Sequence, residues 1–364
     1  MKLLMFLPKI VLPFLVGYNT LTSSANFIPA NHPHIQYFGR WDMTDPLHPK
    51  HSWAGVYLHV EFTGTSIGVR MADNDNYYNV YVDGKFHSIF HGGKPGEADY
   101  VLADSLTNGS HTLVFSKRNC AQNKVYSFSG LLLNDGGELL PHPPKPNRKI
   151  EFIGDSFTVA EGNEASQLNM PWEETFPVSN IDKGFAPIIA RHFNAQYHIT
   201  ARSGIGMVCD WTGDRTLNLP DRFNRALMDA PEPKWDFQQW IPNLVVICLG
   251  LNDHSGLKDK EGNVSSENSS LNRKRYHDFL ATIRSVYHSV KILAVAAHVD
   301  WIRENVRQVV DEEKANGKQD IYYAQFDYFE NGYIANGHPS VETHQKIAEQ
   351  LIEATEVIKL FTGD

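Results

Sequence analysis

Apolar and polar positions alternate with a period of two over residues 35–135. In the stretch GVYLHVEFTG, every second residue from Val56 to Phe62 is apolar. The stretch YYNVYVDGKFHSIF holds two such runs on either side of Asp83 and Gly84, a dipeptide typical of tight hairpin turns. No helical pattern interrupts these runs. Several short strands separated by turn signals predict an N-terminal antiparallel β-sandwich of jelly-roll type.

Four prolines in GGELLPHPPKPNRK, residues 136–149, end this pattern. Proline fixes φ and lacks a backbone N–H, so the composition suits neither a helix nor a central strand. We therefore predict a stiff linker over 136–148, with the sandwich domain over 26–135 before it and a second domain over 149–364 after it.

Beyond the linker, continuous apolar runs alternate with amphipathic helical stretches such as NRKRYHDFLATIRSVYHSV. This alternation is typical of a parallel sheet that is covered on both faces. The fold class predicted for this half is α/β, a three-layer domain with a five-stranded parallel sheet. Such sheets bind ligands beyond the carboxyl ends of their strands. The predicted strands cover residues 149–154, 196–201, 244–250, 291–297 and 321–326.

Residues that could take part in catalysis follow three of these strands, and a histidine lies in a turn near the C-terminus. Ser156, in GDSFT, is predicted to begin the helix after the first strand, as a nucleophile or as a simple N-cap. Gly204, in ARSGIGM, and Asn252, in LGLNDH, each offer an N–H group to an oxyanion, or are an ordinary turn glycine and loop asparagine. His338, in GHPS, is one of 17 histidines and taken alone is typical of a surface turn.

Taken together, a hydroxyl, an imidazole and two kinds of oxyanion donor on one sheet edge are the groups that acyl transfer requires. The order of GDSFT, GLND and the late HP resembles that of the SGNH hydrolase superfamily. A β-sandwich ahead of such a domain, with stretches such as YYNVYVDG and GHPSVETHQKIAEQL, resembles carbohydrate esterase family 2, the acetyl xylan esterase type.

This resemblance implies that Ser156 is the nucleophile and His338 the general base. It also implies that Gly204 and Asn252 complete an oxyanion hole with the backbone N–H of Ser156. The implied substrate is an acetylated polysaccharide or oligosaccharide of the xylan or glucomannan type. The family works without a metal or an organic cofactor.

The segment before His338 departs from the family, which commonly reads GCDWHPS. Here Ala335, Asn336 and Gly337 stand in place of Cys, Asp and Trp. In a serine protease, replacing the orienting Asp by Asn lowers turnover by about 10⁴. Either the side-chain oxygen of Asn336 or a main-chain carbonyl of residues 334–336 is available to accept the His338 Nδ1–H. We therefore predict a Ser–His dyad of reduced but real activity, oriented by one of these two acceptors.

The N-terminus is typical of a secretory signal peptide over residues 1–25. Lys2 and Lys9 precede a short apolar run, and small residues at Ser23–Ser24–Ala25 suit cleavage. The run is shorter than the ~20 residues that a spanning helix needs, so no membrane span is predicted in the mature chain. We expect a secreted protein, extracellular or periplasmic.

Charge and cysteine content narrow the partners and the chemistry. The formal net charge is −9 without a long basic run, which argues against nucleic acid, whose phosphates are neutralised by Lys and Arg. Cys120, Cys209 and Cys248 are too few and too scattered for a disulfide framework or a zinc site, although one disulfide stays open. His298 and Asp300 lack a third ligand at a recognisable metal-site spacing.

Two other functions fit parts of the sequence. The changed residues 335–337 fit a carbohydrate-binding protein with weakened or lost turnover, but binding alone needs no serine nucleophile. An SGNH esterase for a non-carbohydrate ester, such as a lipid, is less consistent with the β-sandwich and with the absence of a long apolar lid segment.

Trp211, in the loop after the second strand, is either a platform for a sugar ring or a packing residue.

Overall fold

The computed structural model describes residues 25–359 and residue 361. The predicted signal peptide, residues 1–25, lies outside the described residues apart from Ala25. The described part of the N-terminal half contains eleven strands: β1 (Asn26–Pro29), β2 (Gln36–Phe38), β3 (Lys50–His51), β4 (Tyr57–Gly64), β5 (Ile67–Ala72), β6 (Tyr77–Val82), β7 (Lys85–His91), β8 (Ala98–Ala103), β9 (Gly109–Lys117), β10 (Tyr126–Leu133) and β11 (Leu139–Leu140).

These strands pair antiparallel in two sheets, which confirms the predicted sandwich. One sheet has the order β1-β10-β5-β8, with β3 beside β10, and the other has the order β11-β4-β9-β6-β7, with β2 beside β4. Every second residue of β4 is buried, as the period-two pattern predicts. The β6–β7 hairpin turns at Asp83 and Gly84, whose φ values of 52° and 71° are the positive pair that a type I′ turn requires.

The segment predicted as a linker, residues 136–148, contains a short strand, β11. Leu139 and Leu140 of β11 pair with Phe62 and Glu61 at the edge of the second sandwich sheet. The prolines of the segment lie after this strand. Because β11 is at the edge of the sheet, prolines without an N–H donor are tolerated next to it. The first part of the segment is therefore attached to the sandwich by backbone hydrogen bonds.

The C-terminal half contains the predicted parallel sheet, with the strand order β13-β12-β14-β15-β16. All five residues of β14 are buried, as expected for a central strand covered on both faces. Helix α1 packs on α5, and α3 packs on α4. The elements are β12 (Arg148–Gly154), α1 (Phe185–His192), β13 (Ala195–Ala201), β14 (Leu244–Cys248), α2 (Leu251–Leu257), α3 (Ser266–Val286), β15 (Lys291–Ala296), α4 (Asp300–Ala315), β16 (Ile321–Gln325), β17 (Tyr333–Ile334), β18 (His338–Pro339) and α5 (Val341–Val357).

The two halves share one continuous apolar core, and a buried ion pair lies where they meet. Arg40 Nη2 of the sandwich donates to Glu151 Oε1 of β12 at 2.7 Å, and the two side chains are 1% and 0% exposed. Thr200 of β13 donates a second hydrogen bond to the same carboxylate oxygen, at 2.5 Å. The Arg40 guanidinium also donates to the Arg225 carbonyl at 3.1 Å. It lies 5.2–5.7 Å from the ring centroids of Trp53, Phe223, Trp235 and Phe237.

We predict that Glu151→Gln lowers the free energy of unfolding by about 3–5 kcal/mol, because it leaves a buried guanidinium without its counter-charge. The matched control is Asp99→Asn, which breaks the exposed Arg70–Asp99 pair and is expected to cost at most about 1 kcal/mol. Chemical denaturation of both variants checks this. Equal losses in the two variants would contradict a stabilising role for the buried pair at the domain junction.

Candidate active site

The four residues singled out in the sequence lie at the carboxyl edge of the parallel sheet. Because β12 pairs with β13 on one side and with β14 on the other, the loops that carry Ser156, Gly204 and Asn252 are neighbours. Asn252 Nδ2 lies 3.1 Å from the Ile205 carbonyl, beside Gly204. His338 approaches from β18, and its ring centroid is 5.9 Å from that of Phe157, the residue after Ser156.

Ser156 lies in a series of turns, so the predicted helix start at this residue is wrong. Val159 N–H donates to the Asp155 carbonyl and Glu161 N–H to the Ser156 carbonyl, both at 3.1 Å. Ala160 then takes a φ of 53°, which reverses the chain before a helix can continue. The next α-helix of the chain is α1, so Ser156 is held by a compact turn, where it is 9% exposed.

Asp155 is a buried carboxyl group beside Ser156. Burial raises its pKa to about 7, the Phe157 N–H opposes this shift, and the negative charges of Asp253 and Glu161 add to it. Asn252 Nδ2 donates to Asp155 Oδ2 at 3.3 Å as well as to the Ile205 carbonyl. Both amide hydrogens are therefore engaged, and donation to an oxyanion requires one of these bonds to be released. The contact with Asp155 is the longer of the two.

Asp253 fixes the loop that carries Gly204. It lies inside α2, not at a helix cap, and accepts the Met207 and Val208 N–H groups, each at 2.7 Å. Gly206 permits this approach, because a Cβ there would lie 2.2 Å from Asp253 Oδ2. Burial raises the pKa of Asp253, and the donated backbone N–H groups oppose that shift. Hydrophobic periodicity does not reveal this role, since an acidic residue after a strand is equally typical of a helix cap.

The His338 ring is oriented by the main chain. Its Nδ1–H donates to the Ala335 carbonyl at 2.6 Å. With the proton on Nδ1, a neutral imidazole carries its free lone pair on Nε2. Nε2 lies 4.0 Å from Glu161 Oε1, and the His338 side chain is 14% exposed. Among the described residues, Ser156 Oγ makes no direct hydrogen bond to His338, a separation common in sites without substrate.

Asn336, the other candidate orienter, is engaged elsewhere. Its side chain accepts the Met170 N–H at 3.1 Å and donates to the Met170 carbonyl at 2.9 Å. The φ values of Ala335, Asn336 and Gly337 are 34°, 62° and 86°, so the chain reverses tightly just before His338. Of the two predicted acceptors, the main-chain carbonyl is the one that contacts Nδ1.

Other residues named in the sequence take ordinary or peripheral positions. His298 Nδ1 lies 3.4 Å from the Tyr333 hydroxyl. Asp300 is the first residue of α4, and no side chain caps the start of this helix. Trp211 is 62% exposed and borders Gly204, with its ring edge 3.4 Å from where a Cβ of residue 204 would stand. The three cysteines are all free thiols and buried, so the disulfide left open by the sequence is absent.

Metal-binding clusters and membrane-spanning helices are both absent from the described residues. No group of three or more His, Cys, Asp or Glu side chains among them is arranged to hold a metal ion. Within the same part of the chain, no helix is both long and apolar enough to cross a membrane.

Comparison with known proteins assigns both halves. Residues 37–143 match the carbohydrate esterase 2 N-terminal family, and residues 150–351 match the GDSL-like lipase/acylhydrolase family. The chain is 30% identical over 354 residues to an acetylxylan esterase/glucomannan deacetylase of Cellvibrio japonicus, across 94% of this chain and 90% of that protein. It is 32% identical over 333 residues to the cellulase/esterase CelE of Acetivibrio thermocellus, across 88% of this chain but 39% of that longer protein.

Solved structures agree with these matches. A family two carbohydrate esterase from Clostridium thermocellum in complex with cellohexaose has a TM-score of 0.82 at 30% identity, over 90% of this chain and 99% of that one. An acetyl xylan esterase, Est2A, from Butyrivibrio proteoclasticus shares the fold with a TM-score of 0.84 at 19% identity, over 94% of this chain and 100% of that one. With a matching sandwich, a matching hydrolase domain and full-length relatives, the chain belongs to carbohydrate esterase family 2 and is a carboxylic-ester hydrolase of the acetylxylan esterase type.

Proposed function

We propose that this esterase is secreted and removes O-acetyl groups from a xylan- or glucomannan-type polysaccharide by a Ser156–His338 dyad. The observation that carries the mechanism is the His338 Nδ1–Ala335 carbonyl hydrogen bond, which leaves Nε2 available as a base. The supporting arrangement is the position of Ser156, Gly204 and Asn252 at adjoining strand ends of one sheet.

In the first half-reaction Ser156 Oγ attacks the acetyl carbonyl carbon while His338 Nε2 takes its proton. The Nδ1–H keeps its hydrogen bond to the Ala335 carbonyl throughout, so the ring keeps its orientation as it becomes an imidazolium. The backbone N–H groups of Ser156 and Gly204, with Asn252 Nδ2, donate to the developing oxyanion. His338 then returns the proton to the departing sugar oxygen. A water molecule next gives a proton to the same Nε2 and its oxygen bonds to the acetyl carbon; the bond to Ser156 Oγ breaks, Oγ takes the proton back from Nε2, and acetate is released.

Three observations support the proposed substrate and location. The Cellvibrio japonicus relative, similar over nearly its full length, is named an acetylxylan esterase/glucomannan deacetylase. The exposed Trp211 beside Gly204 offers a flat apolar face of the kind that stacks on sugar rings. The N-terminal sequence has the charge, apolar run and small residues of a signal peptide, which supports secretion.

Ser156→Ala tests the nucleophile. We expect acetate release from acetylated xylan or glucomannan to fall at least about 10³-fold, because the acyl-enzyme is no longer formed. Ser166→Ala, the same change at an exposed position of the following segment, is expected to match wild type. Equal activity in Ser156→Ala and wild type would refute the mechanism. A wild-type chain that binds the polymer but releases no acetate would instead favour the carbohydrate-binding alternative.

Asn336→Gly tests which group orients the base. Glycine accepts the positive φ of this position, so the substitution removes the amide without straining the turn. We expect kcat to stay within about twofold of wild type, because the Ala335 carbonyl is retained. A loss of about a hundredfold or more, in a variant with a normal circular dichroism spectrum, would show that the amide performs the orienting role.

A further inference from the structure

Glu161 is a nearly buried acid that faces the base. Its side chain is 9% exposed, and Oε1 lies 4.0 Å from His338 Nε2. Among the described residues, no Arg or Lys forms an ion pair with it, and its carboxylate makes no hydrogen bond to protein. Buried carboxylates that serve only structure are normally paired or hydrogen-bonded, because the cost of desolvation has to be offset. The position of this carboxylate therefore calls for a different explanation.

The backbone around Glu161 is tied to both halves of the dyad. Its own N–H donates to the Ser156 carbonyl at 3.1 Å. The next residue, Gly162, donates to Ser179 Oγ at 2.8 Å and packs on Ala335, whose Cβ would lie 2.4 Å from a Cβ at residue 162. The residue that carries the carboxylate is thus fixed between the nucleophile turn and the segment whose carbonyl orients the ring.

We propose that Glu161 is the charge partner of His338, an inference that rests on the proposed dyad mechanism. The Ala335 carbonyl orients the imidazole but is neutral, so it compensates little of the positive charge that forms on the ring. The carboxylate of Glu161 supplies that compensation from the Nε2 side. Orientation and charge, which one Asp provides in a usual triad, are divided here between a main-chain carbonyl and Glu161.

The distance suits this role and excludes a proton relay. When the Ser156 proton moves to Nε2, the ring becomes cationic, the former hydroxyl oxygen bonds to the acetyl carbon, and the carbonyl π electrons move to the oxyanion; Glu161 neither gives nor takes a proton. At 4.0 Å the carboxylate lies beyond hydrogen-bond range of Nε2, so the transferred proton remains directed at the reacting oxygens. An opposite charge at this separation attracts the cationic ring, and the attraction is stronger where water is excluded.

Glu161→Gln tests the inference, because it keeps the shape of the side chain and removes its charge. We expect kcat to fall by about tenfold or more while KM stays within about twofold, since the charge acts only once the ring is cationic. The matched control is Glu174→Gln, the same change at an exposed position of the following segment, which is expected to match wild type. Glu161→Asp keeps the charge at a greater distance, so its kcat is expected to lie between those of wild type and Glu161→Gln.

A double-mutant comparison separates a charge effect from a structural one. In a His338→Ala background there is no ring to stabilise, so Glu161→Gln is expected to leave the residual rate on 4-nitrophenyl acetate unchanged. The same fold loss in both backgrounds would overturn the proposal, as would a wild-type kcat for Glu161→Gln. If Glu161→Gln does not fold, a kcat for Glu161→Asp below one hundredth of wild type, or equal to wild type, would overturn it equally.

The outcomes also distinguish this inference from the mechanism on which it rests. If Ser156→Ala is inactive and Glu161→Gln is fully active, only the role of Glu161 fails. If Ser156→Ala retains wild-type activity, the proposed dyad itself fails.

Discussion

The hydrogen bond from His338 Nδ1 to the Ala335 carbonyl is the contact on which the active site depends. A carbonyl selects the tautomer and holds the ring as a carboxylate does, but it brings no full charge. The contact requires three successive positive φ values at residues 335–337. Those values are maintained by main-chain hydrogen bonds to Gln167 and Leu168 and by the β17–β18 pairing. The Asn336 amide adds two hydrogen bonds to the backbone of Met170, beside those of the main chain.

Side chains of the β-sandwich contact the segments next to this site. Arg118 of the sandwich forms an ion pair with Glu164, at the end of the turns that begin beside Ser156. Asp182 accepts hydrogen bonds from Asn79 at 2.7 Å and from Ser116 at 2.9 Å, both in sandwich strands. With the Arg40–Glu151 pair and the shared apolar core, these contacts join the two halves. The segment carrying Ser156 and Glu161 is positioned by both domains.

The sequence predicted the parts of the molecule that periodicity governs. The five strands of the parallel sheet were predicted because continuous apolar runs must be buried on both faces, and their order along the chain placed Ser156, Gly204 and Asn252 at one edge. The prediction of a helix at Ser156 was wrong because a single positive φ at Ala160 ends the turn. The acceptor for His338 stayed open because every residue carries a carbonyl, so its use leaves no mark in the sequence. Glu161 was not predicted as a site residue for a related reason: an acidic residue in a loop is not part of any periodic pattern of apolar and polar positions.

The neutral tautomer of His338 reports directly whether the main chain orients the ring. In ¹⁵N-labelled protein at a pH where the imidazole is neutral, the His338 signals, assigned by their loss in His338→Gln, report which ring nitrogen carries the proton. We predict a proton on Nδ1, hydrogen-bonded to the Ala335 carbonyl, and an unprotonated Nε2, in wild type and in Asn336→Gly alike. A neutral ring protonated on Nε2, or a tautomer that changes when the Asn336 amide is removed, would contradict orientation by the main chain.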